Sequence, residues 1–577
     1  MMNRMNKKKI VIGIIFLLFG AAVLPTINAS LMRKTEISNF NTNPNIDSVS
    51  SKDDGWWPMH RCDSGNSGCS SSIAPVRDQL SWKTNVGDFI YSSSPVIVDN
   101  KVYISSGWMF DALDPPITNI TDIYYGPTIF EVIEDLTTYN EDYEGAVYCL
   151  DSDTGEFLWQ YPMYAPNDPA VVNGKVYVSD LGIYSYTSTM YCLDAETGSL
   201  IWEKPIGQIV TSPTIIENGK IYISSIEIDS YTGTMLCLDL NGNILWDYNL
   251  PPFELVWFTS PAVDQGRIFI RTTNLYYYYY EPGNLICLNA DTGQFKWLRE
   301  LSSFWFYFGT CSPVATDGKV FISDVDWFTY TGRIKCFDGQ TGEIEWLKDL
   351  GFSLGTPAVD DGYLYAGGLD LNQYECNLFK LDADSGSTIW MTPMDIYSFF
   401  ALFASPICSK DHVIFGGGEF FYYTKDIICA DKESGTIKWK ASLEEESMVS
   451  PSVADERVYI ADYNGNVYAF EDKLEIGRVS GSFLGVKAEF KNIAETNITD
   501  VEYIIMVSGG ILDMINKTFT GKIDFIDAGK TKVIRGYQIF GFGDIDVEVR
   551  TTMPGLNDIL IKKAKGFVIG TIVILRP

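Results

Sequence analysis

Histidine is almost missing from these 577 residues, occurring only as His60 and His412. With two imidazoles no Ser-His-Asp, Cys-His or histidine-rich metal constellation can be assembled, which removes the commonest hydrolase and zinc chemistries. Basic residues are also scarce: 43 Lys and Arg stand against 74 Asp and Glu, a net charge of -31. Such a chain repels phosphate backbones, so nucleic acid is excluded as a partner. Long apolar runs are confined to the start, where Ile10 to Leu24 follows the basic MMNRMNKKK. The closing run Gly566 to Leu575 is too short to cross a bilayer as a helix and reads as a buried strand. Among eleven cysteines no two are adjacent. Disorder is ruled out in turn by a content of 46% hydrophobic and 14% aromatic residues.

What is present is a repeat. Prolines 95, 169, 213, 261, 313, 357, 406 and 451 each open the same order of features: a Gly- or Asp-bearing turn, an aromatic strand, an apolar strand ending in Asp, a Gly turn and a Trp. A period in the forties with four short strands and no helical stretch predicts radially repeated four-stranded sheets, because one unit cannot bury its own faces. In one unit the strands A to D are Val171-Val172, Val176 to Val178, Met190 to Leu193 and Leu200 to Trp202. Seven units place Gly four residues before the Trp, from Gly155/Trp159 to Gly435/Trp439. That spacing suits a tight hairpin followed by a large ring packed between blades. Trp82 comes early with no such Gly, and the last unit ends near Asp472 with no Trp. Both facts are met if the Trp82 segment is the outer strand of the last blade, closing a ring of eight.

The pattern LD-x-x-TG-x-x-x-W resembles the repeat of the quinoprotein-type (PQQ-like) β-propeller family, over roughly two thirds of the chain. The segment GWWPMHRCDSGNSGCSSSIAP from Gly55 is also similar to the lead-in of such proteins. The resemblance implies the fold and leaves two functions open, since the family holds dehydrogenases beside non-enzymatic assembly propellers. The enzymatic branch implies pyrroloquinoline quinone with calcium on the axis, held by an acidic base, a Glu/Asn set, an Arg and often adjacent cysteines. This chain has no adjacent cysteines, and the other ligands find no residue-by-residue match, so no cofactor is expected.

The fold expected is therefore all-β: residues 1–30 a signal peptide or N-terminal membrane anchor, 31–74 an extended lead-in, 75–473 an eight-bladed propeller, and 474–577 a β-sandwich, immunoglobulin-like in outline. Sequons at Asn119, Asn497 and Asn516 agree with an exported, extracytoplasmic chain, secreted or at the cell surface. Cys149, Cys192, Cys237, Cys287, Cys336 and Cys429 share one position of strand C in different blades, too far apart to bond, and read as small buried residues. Cys62 and Cys69, in CDSGNSGC, suit a local disulfide. Asp151, Asp194, Asp239, Asp338 and Asp382 precede the C-D turns and read as turn formers.

Candidate binding residues lie in the loops. The short A-B and C-D turns share one face, so the B-C and D-A connections share the other. Those connections are aromatic: Trp108, Phe110, Tyr186, Tyr231, Tyr278, Trp327, Tyr330, Phe420 and Tyr422 in the B-C set, and Trp257, Phe304, Trp305 and Phe400 in the D-A set. Flat rings on an acidic rim suit a protein, peptide or glycan ligand, and equally suit packing of loop on loop. Residues 107–145 form an acidic insertion with no Lys or Arg, either a solvated loop or an oxygen-rich cation site. The reading is a non-catalytic binding scaffold, with a quinone- and calcium-dependent dehydrogenase as the alternative and hydrolysis by a carboxylate pair in the funnel as a third.

Overall fold

Runs of β-branched and aromatic residues, cut every few positions by Asn-Gly, Asp-Gly or Thr-Gly, leave each repeat little choice but hairpins. A computed structural model describes residues 56–87, 90, 93–107, 145–164, 166–182, 187–210, 212–227, 232–256, 259–274, 283–302, 311–326, 331–351, 355–370, 375–394, 405–416, 425–445, 447, 449–493, 497–552 and 560–576. In the first repeat, A (Val96–Val98), B (Lys101–Ser106), C (Gly145–Asp151) and D (Phe157–Met163) pair antiparallel in that order. Seven further sheets of the same order follow among the described residues. The A-B turns hold both central residues at positive φ, as at Asn173 (51°) and Gly174 (69°) or Asp317 (53°) and Gly318 (79°), the geometry that matches strand twist.

The last sheet takes its outer strand from the other end of the chain. Leu80–Asn85, carrying Trp82, pairs antiparallel with Asn466–Glu471. The inner strand of that sheet, Ser452–Ala454, lies against that of the first, Val96–Val98, so the succession of sheets returns on itself as a β-propeller.

The recurring Gly and Trp belong to neighbouring blades rather than to one. Indoles lie beneath the C-D turn of the next blade and donate Nε1-H to it, as from Trp159 to Ala195 O at 3.1 Å, Trp297 to Gly339 O at 3.2 Å and Trp346 to Ala383 O at 3.0 Å. A Cβ on Gly198, Gly342 or Gly386 would stand 2.6 Å from that ring, so the turn must lack one. Trp82 makes the same contact with Gly155 and Ser152 O, which joins the last blade to the first. Trp439 faces a blade with no C-D hairpin, since its fourth strand is Leu80–Asn85. It donates instead to Pro75 O at 2.8 Å and stacks on Phe470. The turn aspartates act as expected: Asp151 Oδ1 accepts from the N-H groups of Asp153 and Thr154, and Asp338 Oδ1 from those of Gln340 and Thr341.

After Glu471 the chain leaves from the face of the A-B and C-D turns and enters a second unit. Leu474–Ser482, Gly485–Asn492 and Thr531–Tyr537 form one antiparallel sheet, and Ile498–Gly509, Ile515–Ile526, Gly541–Thr552, Leu560–Gly570 and Ile572–Leu575 form another. Val486, Phe490, Val501, Ile505, Val547 and Val568 from both sheets fill one core. The closing run, expected as one buried strand, instead turns at Gly570 between two strands, and Phe567, Ile569, Ile572 and Ile574 on their outer face stay partly exposed because only the other face meets the core. Among the described residues no helix is long and apolar enough to cross a membrane.

Two glycines with similar backbone angles separate steric room from conformational freedom. Gly342→Ala must strain its φ of 70° and displace Trp297, and is expected to cost about 2–4 kcal/mol. Gly362→Ala, at φ 76° with nothing within 4 Å of the added methyl, is expected to cost about 1 kcal/mol. Urea unfolding of the two variants measures the difference.

Candidate functional site

Strand A of each blade has a free edge facing the propeller axis, where its N-H and C=O groups need partners. The lead-in supplies them. Residues 56–74 circle the axis and meet the blades in chain order. The second residue after the repeat proline donates its N-H each time: Ile97 to Trp57 O (2.8 Å), Val171 to Pro58 O (2.8 Å), Val263 to Ser64 O (2.7 Å), Ala315 to Gly65 O (2.8 Å), Val359 to Ser67 O (2.9 Å) and Cys408 to Gly68 O (2.8 Å). In the third blade Ser64 Oγ donates to Glu217, and in the eighth Ser72 Oγ accepts from Glu456 N-H. A linear segment of the chain is thereby wound into a stopper that touches every blade.

Its side chains complete the arrangement. Arg61, 1% exposed, donates to the carbonyls of Pro406 (2.8 Å), Pro357 (2.6 Å) and Thr356 (3.3 Å). Asn66 Nδ2 donates to Pro261 O and Pro313 O, both at 3.0 Å. Burial pushes the Arg61 guanidinium down to about 10, so it stays charged near neutrality. Asp63 shapes the turn by accepting from Gly65 N-H, Ser67 N-H and Ser67 Oγ. Space is tight. A Cβ on Gly65 would lie 2.2 Å from Ala315 O, and one on Gly68 2.4 Å from the Arg61 guanidinium. His60 Nδ1 meets the buried carboxylate of Asp168 at 2.5 Å, and Asp168 also accepts from Ser94 N-H.

This corrects the expected local disulfide. Cys69 bonds Cys408, 339 residues away, while Cys62 keeps its thiol, set against Trp56 O at 3.8 Å. The reason is where the two thiols are buried: Gly68 N-H donates to Arg61 O at 3.0 Å, so the segment doubles back, but Cys62 packs in one cluster with Trp57 and Ile97 while Cys69 packs in another with Cys408 and Tyr365. The six strand C cysteines are buried thiols, and burial pushes those of Cys149, Cys237, Cys287 and Cys336 up to about 12.

The repeat's Ser-Pro dipeptides also gain a role that their sequence did not disclose. Ser260 N-H donates to Ser312 Oγ, Ser312 N-H to Thr356 Oγ1 and Thr356 N-H to Ser405 Oγ, each at 2.9 Å, linking blade to next blade above the stopper.

The predicted aromatic face lies outside the described residues: Trp108, Phe110, Tyr186, Tyr231, Trp257, Tyr278, Phe304, Trp305, Trp327, Tyr330, Phe400, Phe420 and Tyr422, together with most of the acidic insertion. The roots of those loops are described, and they are stapled by buried charge. Asp180 accepts from Thr189 N-H (2.8 Å) and Tyr191 OH (3.2 Å) across the base of one B-C loop. Asp324 pairs with Lys335 and accepts from Ser302 N-H, tying a B-C root to a D-A root. Burial works to raise Asp324, but Lys335 and Arg271 outweigh it and hold the carboxyl below the usual range. Among the described residues no group of three or more His, Cys, Asp or Glu is placed to hold a metal ion. Arg61 and Asn66 escaped the sequence reading; the only signal was the pair of closely spaced glycines, Gly65 and Gly68.

Comparison with known proteins agrees with this geometry. The family model described as "Outer membrane protein assembly factor BamB" matches residues 143–392 and 377–516. The fold is similar to that of quinohemoprotein alcohol dehydrogenase from Comamonas testosteroni, at 15% identity over 73% of this chain and 81% of that one, TM-score 0.53. It is similar as well to quinohemoprotein alcohol dehydrogenase ADHIIG from Pseudomonas putida HK5, at 14% over 74% and 82%, TM-score 0.51. BamB from Moraxella catarrhalis aligns at 14% identity over 68% of this chain and 99% of its own, TM-score 0.46. No curated protein matches the sequence.

Two measurements test the site's construction. By loop-closure entropy, Cys69→Ser is expected to cost about 5 kcal/mol in urea unfolding, and Cys62→Ser less than about 1 kcal/mol; equal effects would contradict the assigned pairing. Burial pushes Asp180 up to about 6 from 3.8. A raised carboxyl contributes stability that is complete below its unfolded value and is lost as pH rises through the folded one. Asp180→Asn should therefore be more stable than the parent at pH 7.5 by about 1–2 kcal/mol and lose that advantage by about pH 4.

Proposed function

Because the chain belongs to the family of outer membrane protein assembly factor BamB, a family of β-propellers, we propose that it is a non-catalytic binding scaffold working outside the cytoplasm. In this reading an eight-bladed propeller presents the B-C and D-A loops to a protein, peptide or glycan. An immunoglobulin-like sandwich, residues 474–577, hangs from the opposite face. The observation that carries the proposal is the stopper. The axis, where a quinone cofactor would need a free cation, is filled by residues 56–74, and Arg61 is engaged by three main-chain carbonyls. Arg61 Nη1 and Nη2 and Asn66 Nδ2 are spent on main-chain carbonyls, which supports recognition at the loop rim. Rings on rigid scaffolds give large contact at low entropy cost, and loops tolerate the variation that recognition demands. The export-type start and the disulfide Cys69–Cys408 support an oxidising compartment.

A photo-crosslinking residue placed at Trp257 or Trp305, in the native cells, is expected to give a discrete adduct, and one at Asn173 on the A-B face none. Trp257→Ala with Trp305→Ala should lower adduct yield from a probe at Trp327 about tenfold, with the unfolding midpoint unchanged. The purified protein supplied with quinone and calcium should oxidise no alcohol. Cofactor-dependent turnover, or adducts from the A-B face alone, would overturn the proposal.

A further inference from the structure

The far end of the C-terminal unit carries apolar side chains where turns ordinarily carry polar ones. Leu474–Ser482 leaves the propeller, tied to it by Arg77 Nη1 donating to Leu474 O at 2.9 Å, and runs outward. The remaining strands alternate in direction, so four turns meet at the outer tip: 483–484, 510–514, 538–540 and 570–571. Their contacts hold them together: Leu484 N-H donates to Thr571 O at 2.6 Å, Ile539 N-H to Leu484 O at 3.1 Å, and Gly510 N-H to Asp544 O at 2.6 Å. Phe483 bridges to Ile572, and the rings of Phe540 and Phe542 meet edge to face. On this tip Leu512 is 88% exposed, Met514 80%, Phe483 69%, Phe540 68% and Ile511 61%.

Two of these residues are there against local preference. Leu484 and Leu512 adopt φ of 68° and 59°, the left-handed region that Gly or Asn enters at lower cost. Leu512, 88% exposed, is not repaid by burial, so there both the conformation and the exposure point to an occupant outside the chain.

We propose that the tip inserts into the interfacial layer of a lipid membrane. Three observations select lipid over a protein partner or a second copy. The apolar groups protrude on four turns and continue onto the sheet behind them at Phe542, Ile569 and Ile572, and lipid, unlike a protein partner, demands no complementary shape. Charge agrees: residues 474–577 carry 13 basic and 12 acidic residues, whereas the whole chain carries 43 and 74, so the unit is nearly neutral at the end of a strongly acidic protein. Lys517, Arg535 and Tyr537 lie a few residues behind the tip, at the level where headgroups would meet them. The sequence also carries a second apolar stretch, the run Ile10 to Leu24. The inference is independent of the ligand face.

The test uses the full chain with a polarity-sensitive fluorophore at Leu512→Cys, the described cysteines being buried. With phosphatidylcholine vesicles its emission should rise and shift to the blue, and lipids carrying a quencher in the acyl chain should quench it. The same label at Ala528→Cys, at the inner end of the unit, should respond to neither. In the unlabelled chain Leu512→Asn with Met514→Ser should weaken vesicle binding at least about tenfold, while the unfolding midpoint stays level or rises. An unresponsive label at position 512, equal responses at both positions, or undiminished binding by the double variant would each overturn the proposal. A label whose response depends on protein concentration without lipid would overturn it in favour of self-association.

Discussion

A four-stranded blade has two edges, and a ring turns one of them toward the axis, where its main-chain groups need partners. The inner edge is therefore the constraint on which this propeller rests. Here the chain answers it with its own lead-in, wound so that one register position, two residues after each repeat proline, finds a carbonyl in six blades. The carbonyls of the prolines, which point the same way, are collected by two side chains, Arg61 and Asn66. A charged guanidinium is stable so deep because each donor bond lands on a dipole already aimed at the axis.

Closure at the rim and closure at the axis support each other. The outer strand Leu80–Asn85 begins only a few residues after the stopper ends, so the segment that plugs the centre also delivers Trp82 to the seam between the last blade and the first. Pro75, between the two, takes the Nε1-H of Trp439 and fills the seam that lacks a C-D hairpin. Cys69–Cys408 fastens the stopper to the seventh blade before that turn outward. Loss of the stopper would thus open a sheet edge as well as the axis, which ties the two ends of the repeat region into one cooperative structure.

Legibility in the sequence followed the range of each interaction. Strands, A-B turns and the Trp82 strand were readable because hairpin chemistry is local and the missing Trp of the last unit has a counterpart to match. The Gly turn and the Trp ring packed between blades were legible from their fixed spacing, but not which Gly meets which ring: Gly198 covers Trp159, not Trp202. The disulfide failed for the same reason, since CDSGNSGC looks local until it is wound round an axis. The side chains of residues 62 and 69 are buried in separate clusters, and no periodicity announces that. Trp257, Trp305 and the other loop aromatics were legible only as composition, because long loops follow no repeat whose register could place them, and they lie outside the described residues.

The two exposed surfaces obey different physics. At the loop face, the roots are held by buried ion pairs and hydrogen bonds such as Asp324 with Lys335 and Asp180 with Tyr191, which keep the loops on a rigid base. At the tip of the C-terminal unit, Leu512 holds a strained turn and is left 88% exposed. A rigid polar base suits selective recognition, where an unmatched group costs affinity. A protruding apolar turn suits a fluid apolar phase, where burial is rewarded without geometric fit. The unit leaves the propeller from the A-B and C-D face. With its tip in lipid, the loop face is held on the side away from the attachment, and the acidic propeller is spaced from any anionic surface by a nearly neutral stalk.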